Sequence, residues 1–183
     1  MNHLIRASFV LMLVVFINPK ALAGNNDIYI TQTGTGLTMN IDQIGATNRV
    51  GTAANARATF SGASMTVDID QVGDSNTTIA TVAQGASTSF TATTTGDSNT
   101  TTLALGASGD VANTDFDYAA TGNTNALTLT QGAASTATAG NQDIVIQGGS
   151  NDINMTCEVV GCINNWNVDG DSNDIDTTQT GNS

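Results

Sequence analysis

The chain has 183 residues, with four basic against sixteen acidic side chains and a formal net charge of −12 at pH 7. This deficit of Lys and Arg argues against binding to nucleic acid or to anionic lipid, because little is present to neutralise phosphate. Aromatic residues make up only 4% of the chain, so a large conventional core is not expected. Composition alone would suggest a disordered linker, but the periodicity described below predicts ordered structure.

The N-terminus has the pattern of a secretory signal peptide. Arg6 precedes the nine apolar residues 9–17, and an Ala-Leu-Ala sequence ends at Ala23. A positive start, a short apolar centre and a small-residue exit predict cleavage between Ala23 and Gly24. The alternative is a membrane anchor, but nine apolar residues are too few for a hydrocarbon core that takes about 20. We therefore expect a secreted chain that does not insert into a membrane.

Removal of residues 1–23 would leave one domain, 24–183. This mature chain keeps two arginines as its only basic residues and has no histidine, since His3 is the only one. Ser-His, Cys-His and Lys-based mechanisms are therefore not expected, nor are zinc sites built from His and Cys. A pair of Asp carboxylates is the remaining route to catalysis, and nothing marks a pocket for it. We predict a protein that is not an enzyme, with no catalytic or metal-binding residue and no cofactor.

The dominant signal is a repeat of the sequence Gly-x-x-Asn. Seven copies occur, at Gly45–Asn48, Gly73–Asn76, Gly96–Asn99, Gly122–Asn125, Gly148–Asn151, Gly161–Asn164 and Gly170–Asn173. Without the Gly161 copy, the glycines are separated by 28, 23, 26, 26 and 22 residues. That spacing suits a repeat of two short strands and two turns.

The residues around each copy alternate between two faces. Before the second copy, Val67, Ile69 and Gln71 share one parity, whereas Asp68 and Asp70 share the other. The alternation keeps its phase relative to the glycine in the other copies, and a period of two predicts half-buried strands. We expect the glycine to supply a backbone conformation closed to other residues and the Asn to bond neighbouring backbone groups. A set of generic acidic loops would not preserve the parity.

A strand-turn-strand-turn unit can close in two ways. A hairpin gives an antiparallel meander or sandwich, whereas an arch gives a parallel β-solenoid. Equivalent positions carry similar residues, which favours the solenoid because these side chains would stack in ladders about 4.8 Å apart. We predict an all-β fold, a parallel β-solenoid of about six two-strand rungs with Gly-x-x-Asn turns. Its two ends would be open sheet edges that a further copy could pair with.

Two copies of the motif resemble the curlin repeat of bacterial amyloid fibres. The centre of that repeat is Gln-x-Gly-x2-Asn, and it is matched at Gln43-Ile-Gly45-Ala-Thr-Asn48 and at Gln71-Val-Gly73-Asp-Ser-Asn76. Later copies keep Gly and Asn but have, in place of the Gln, Thr94, Ala120, Ile146 or Val168.

The resemblance implies a structural subunit of an extracellular, cell-surface fibre for adhesion or biofilm matrix. Its partners would be further copies of itself, joined end to end, together with a nucleator and an outer-membrane export apparatus. Buried Gln and Asn side chains would form amide ladders along the stack. The acid excess should make self-association faster at low pH or high ionic strength, where repulsion between copies is weaker.

The two cysteines, Cys157 and Cys162, have two interpretations. In an oxidising compartment they could close a small disulfide around one turn. Alternatively, Cys157 is a small buried hydrophobe, since it has inward parity.

Threonines two residues apart suggest a rival function. Thr91 and Thr93, or Thr128 and Thr130, would lie on the outward face of a solenoid, as in a monomeric β-solenoid that binds ice or a surface glycan. Acidic residues on the same face would interrupt a regular threonine array. A surface or virion decoration protein is a third hypothesis.

Overall fold

The computed structural model describes residues 25–51, 57–84, 87–106, 114–132, 141–158 and 162–180. Within these ranges the chain forms thirteen β-strands and no helix, and hence no helix suited to crossing a membrane. The predicted signal peptide, 1–23, and Gly161 lie outside the described residues.

The strands are short at the N-terminus and longest in the middle of the chain. In order they are β1 (Asn25–Ile28), β2 (Thr31–Thr33), β3 (Thr38–Ile44), β4 (Thr47–Val50), β5 (Ala58–Ser61), β6 (Thr66–Val72), β7 (Ser75–Gln84), β8 (Ser89–Thr95), β9 (Ser98–Leu105), β10 (Asp115–Gln131), β11 (Asn141–Cys157), β12 (Ile163–Asp169) and β13 (Ser172–Gln179).

The strands stack into two parallel sheets. The first sheet consists of β3, β6, β8, the first halves of β10 and β11, and β12. The second consists of β1 with β2, β4 with β5, β7, β9, the second halves of β10 and β11, and β13. Each coil contributes one strand to each sheet, so the fold is the predicted parallel β-solenoid. Six complete coils follow an N-terminal half-coil, 25–33, which adds a strand to the second sheet only.

The core is a single layer of side chains between the two sheets. Its members follow the predicted parity, since Val67 and Ile69 are fully buried while the register partners Asp42 and Asp70 point outward. The few aromatic residues are gathered rather than dispersed. Phe60, Phe90, Phe116 and Tyr118 make successive ring contacts with centroids 6.1 Å apart. Burial of each such side chain contributes about 1.5–3 kcal/mol, so grouping the four rings in the first four complete coils offsets the scarcity of large residues.

The arch glycines are required for a reason other than the predicted one. None of the glycines at 45, 73, 96, 122, 148 and 170 has a positive φ, whereas glycines outside the motif, such as Gly106 and Gly132, do. A methyl group on Gly96 would overlap the carbonyl oxygen of Gly73 in the coil before it. Glycine is therefore needed because successive arches lie in direct backbone contact.

Adjacent glycines in one arch give a test of this explanation. A methyl group at Gly148 would overlap the Gly122 carbonyl, whereas at Gly149 its nearest neighbour is the Asn123 oxygen at 3.3 Å. We expect Gly148→Ala to lower the free energy of unfolding by about 2–4 kcal/mol and Gly149→Ala by less than about 1 kcal/mol. Urea denaturation of the two monomers would measure both, and equal losses would contradict the stacking explanation.

Candidate assembly site: the asparagine ladder and the two ends

The asparagines of the repeat form one hydrogen-bonded ladder through the solenoid. Each Nδ2 donates to the Oδ1 of the asparagine in the next coil. The bonds are Asn26 to Asn48 (2.9 Å), Asn48 to Asn76 (2.9 Å), Asn76 to Asn99 (2.8 Å), Asn99 to Asn125 (2.8 Å), Asn125 to Asn151 (2.8 Å) and Asn151 to Asn173 (2.7 Å). The ladder therefore links the half-coil and all six complete coils.

The four inner amides of the ladder, at Asn48, Asn76, Asn99 and Asn125, also bond backbone carbonyls in two successive coils. Asn76, for example, donates from Nδ2 to the carbonyl oxygen of Gly73 in its own arch (3.2 Å) and to that of Thr95 in the next coil (3.0 Å). The side chain is almost completely buried, so these groups have no access to water. A buried amide is stable only when its polar atoms are paired, which explains why the position requires Asn.

The ladder has a direction. All six inter-coil bonds run from a donor in one coil to an acceptor in the following coil. At the C-terminal end Asn173 accepts from Asn151 and donates to the carbonyl of Gly170 in its own arch. At the N-terminal end the Oδ1 of Asn26 therefore faces the place of a preceding coil. At the C-terminal end the Nδ2 of Asn173 faces the place of a following coil.

The glutamine ladder is short. Gln71 donates from Nε2 to Oε1 of Gln43 (2.8 Å), and Gln43 donates to the backbone oxygen of Asn26 (2.7 Å). Thr78 completes the set by donating its hydroxyl to Oε1 of Gln71 (3.1 Å). The next coil has Thr94 at this position, so the ladder implied by the curlin resemblance covers the first two complete coils.

One predicted member of the ladder lies elsewhere. Asn164 is in β12, where it pairs with Gln142 in the first sheet and is exposed. The ladder asparagines lie in the second sheet, whereas Asn164 is the second residue of a first-sheet strand, so the assignment of Asn164 to the ladder is wrong. Sequence reasoning also missed Asn26, because Ala23 stands where the motif has glycine. Recurrence of Asn-Asp-Ile at Asn26, Asn151 and Asn173 would have identified it.

Both ends of the described solenoid are open, since no other described strand pairs with the outer sides of β1, β2, β3, β12 or β13. At the C-terminal end Ile163 and Ile175 are 62% and 42% exposed, and Trp166 is only partly buried. At the N-terminal end Ile28 and Met39 are also only partly buried. The outermost strands present unpaired backbone groups, which are a template for pairing with another chain.

A disulfide joins the last two coils. Cys157 at the end of β11 is bonded to Cys162, which immediately precedes β12, with a Cα–Cα distance of 6.6 Å. This distance falls within the usual range for disulfides. The bond therefore closes the turn that leads into the C-terminal coil, as the first of the two interpretations expected.

The interior also holds a small group of hydroxyls. The Tyr118 hydroxyl is buried near those of Thr101 and Thr94. Burial raises the pKa of Tyr118, and the nearby hydroxyls of Thr101 and Thr94 oppose this effect. None of the three oxygens makes a hydrogen bond by distance and angle. Among the described residues no group of three or more acidic, His or Cys side chains converges as a metal site.

Carboxylates on the outer face of the first sheet repel one another. Partial burial raises the pKa of Asp68, and the charges of Asp70 and Asp42 raise it further. Burial likewise raises the pKa of Asp117, with added contributions from Asp143 and Asp115. These carboxyls bind protons more readily in the folded chain than in the unfolded one.

Outward threonines form one column on the second sheet. In successive coils it contains Thr31, Thr59, Thr81, Thr130, Thr156 and Thr178, with Ala104 interrupting it between Thr81 and Thr130. The neighbouring column places Ile79, Thr102, Thr128, Asn154 and Asp176 in line. Two matching threonine columns, as a flat ice-binding array would require, are therefore not formed there.

Removing one rung of the ladder should destabilise the monomer. Asn125→Ala leaves the Oδ1 of Asn151 without its donor and removes the bonds from Asn125 to the carbonyls of Gly122 and Gln147. A buried group that loses its partner costs about 1–3 kcal/mol. Asn123 lies in the same arch but is exposed, so we expect Asn123→Ala to change stability by less than about 0.5 kcal/mol. Urea denaturation of both variants would check this, and similar losses would show that the ladder contributes little.

The raised pKa of Asp68 predicts a pH-dependent stability. The ionised carboxylate is disfavoured in the folded chain, so the unfolding free energy falls as pH rises from the unfolded pKa through the raised folded pKa and stays low above it. Asp68→Asn should therefore raise the thermal midpoint at pH 7 and leave it unchanged near pH 3, where both side chains are neutral.

The matched control for this measurement is Asp171→Asn, which removes a charge from the last arch. We expect little change in its midpoint at either pH. A gain for Asp68→Asn that persisted near pH 3 would exclude the electrostatic cause.

Comparisons with known proteins do not assign the chain to a family. No protein-family model, no curated protein and no solved structure matches it. The curlin resemblance thus rests on the motif residues, and the function is argued below from the geometry of the ladder and the ends.

Proposed function

We propose that this chain is a secreted structural subunit of an extracellular, self-assembling cross-β fibre for adhesion or biofilm matrix. The observation that carries the proposal is the asparagine ladder, which runs unbroken to both ends of an open solenoid. The second N–H of the Asn173 amide at one end and the Oδ1 of Asn26 at the other end match each other as donor and acceptor. The function involves no catalytic residue and no cofactor.

The chemistry of the two ends favours further copies of the chain as the partner. Each end offers unpaired backbone N–H and C=O groups on parallel strands. The strand direction and the spacing of these groups are the same at both ends. A partner of another fold would have to reproduce the coil shape, the parallel strand direction and the amide position together. A second copy meets all three requirements.

Charge would regulate such assembly. The mature chain carries sixteen acidic residues and two arginines, so copies repel one another at neutral pH and low salt. Growth should be faster at low pH or high ionic strength. A nucleator and an outer-membrane export apparatus, implied by the curlin resemblance, would determine where and when growth begins.

Seeded growth tests the proposal. Dilute mature protein incubated with an amyloid dye should show a lag that fragments of preformed fibre abolish, and the fibres should diffract at about 4.8 Å along their axis. Protein that remains monomeric with seeds present would contradict the fibre function. Inhibition of ice growth by such a monomer would support the threonine hypothesis instead.

A tip variant with a matched control sharpens this test. Ile175→Asp would place a charge in the inward column of the last coil. When another copy covers this coil, the charge is buried without a partner, which is costly. Thr178→Asp adds the same charge to the outward face of the same strand. We expect elongation to fall about tenfold or more for Ile175→Asp and less than about twofold for Thr178→Asp.

A further inference from the structure

The strands at the two ends of the solenoid have almost the same sequence. Residues 26–33 read Asn-Asp-Ile-Tyr-Ile-Thr-Gln-Thr, and residues 173–180 read Asn-Asp-Ile-Asp-Thr-Thr-Gln-Thr. They differ only at the two central positions. The half-coil and the final strand thus carry the same inward Asn, Ile and Gln and the same outward Asp and Thr.

The structure places the two segments at equivalent positions. The asparagine ladder aligns Asn26 with Asn173 through the intervening coils. The register of the second sheet likewise aligns Thr31 with Thr178. Residues 26–33 therefore occupy, next to the first complete coil, the same position that β13 would occupy next to a further coil added at the C-terminal end.

The half-coil makes the N-terminal end uneven. It covers β4 and β5 in the second sheet, while β3 remains the outermost strand of the first sheet. The C-terminal end presents both β12 and β13 as outermost strands. If the C-terminal end of one copy simply stacked on the half-coil of the next, β12 and β3 would lie about 10 Å apart, two strand spacings instead of one.

We propose that the N-terminal half-coil is a stand-in for the final strand of a neighbouring copy, and that β13 of this second copy displaces it during assembly. The proposal rests on the proposed fibre function and specifies its joint. Displacement lets β13 pair with β4 and β5 while β12 pairs with β3, so both sheets continue through the joint without a gap.

The contacts of the half-coil are reproduced by the incoming strand. Asn26 donates to Oδ1 of Asn48, and Asn173 would donate there instead. Asp27 is the register partner of Arg49, and Asp174 takes that place with the same charge. Loss of the half-coil is thus largely offset in the second sheet, where the one inward change replaces Ile30, which packs on the core, by Thr177.

The new contacts that favour assembly are in the first sheet. By the register of the coils, Trp166 would cover Ile41 and Val168 would cover Gln43. Gly170 would lie on Gly45, as each arch glycine lies on the one before it. These first-sheet contacts are new, because β3 has no strand on its outer side in the described part of the chain.

In the monomer the half-coil would act as an internal cap. It pairs the second-sheet edge at the N-terminal end, where Gly51 and Thr59 donate to the carbonyls of Ile28 and Ile30 (both 2.9 Å). The half-coil occupies the place that β13 of a neighbouring copy needs, and a copy that stacked on the half-coil instead would leave β3 unpaired. The chain therefore retards its own assembly until displacement occurs, which is a source of a lag.

A covalent lock on the half-coil tests the proposal. Thr31 and Thr59 are outward-facing register partners, and adjacent parallel strands lie about 4.8 Å apart, within reach of a disulfide. The double variant Thr31→Cys/Thr59→Cys would tie residues 25–33 to β5. The control Thr102→Cys/Thr128→Cys makes the same link between β9 and β10, where no opening is proposed.

Elongation of wild-type seeds by each oxidised monomer is the measurement, with the new disulfide verified by mass. We expect the half-coil lock to slow elongation about tenfold or more relative to the control lock. Reductant should restore it to the rate of the control under the same conditions, since reduction opens Cys157–Cys162 in both proteins alike.

The outcomes separate the joint from the fibre. Equal elongation by the two oxidised locks would overturn displacement and show that copies stack on the intact half-coil. Failure of the wild-type chain to elongate its own seeds would overturn the fibre function, and the joint with it.

Discussion

The structure depends on direct contact between successive arches. Parallel strands repeat about every 4.8 Å, and in this chain the turns between the sheets keep the same spacing, so that each arch glycine lies on the carbonyl of the one before it. No side chain therefore fits at the glycine itself, and the amide of the repeat asparagine lies beside it. Asn125 and its equivalents occupy that position and bond both along the stack and to the arch backbone.

This constraint explains how a chain with few large apolar residues remains ordered. Each coil buries little by itself, but it is held to its neighbours by backbone pairing in both sheets and by one amide at the corner. The same arrangement leaves each end incomplete, since a coil is satisfied only by another coil. Stability of the monomer and the tendency to assemble therefore have one physical origin. The half-coil, 25–33, partly separates them by completing one sheet at one end.

The strand parity shows what sequence reasoning can reach. Val67 and Ile69 are inward and Asp68 and Asp70 outward, as predicted, because alternation in a strand follows from backbone geometry alone. The role of the arch glycines was predicted wrongly, since a requirement for glycine can arise from φ or from a neighbouring backbone, and only the stacked coils show which. The assignment of Asn164 to the ladder was wrong for a similar reason. A Gly-x-x-Asn sequence whose Asn begins a first-sheet strand and one whose Asn begins a second-sheet strand look alike until the register is known.

The sequence by itself determined the all-β class, the coil length and the faces of the strands, because these follow from local periodicity and from the spacing of Gly-x-x-Asn. The tertiary structure decided the direction of the ladder, its extension to Asn26 and the equivalence of the two terminal strands. Those properties depend on which residues lie over one another in different coils. Pairing between coils is set by the register of whole strands, and no local pattern contains it.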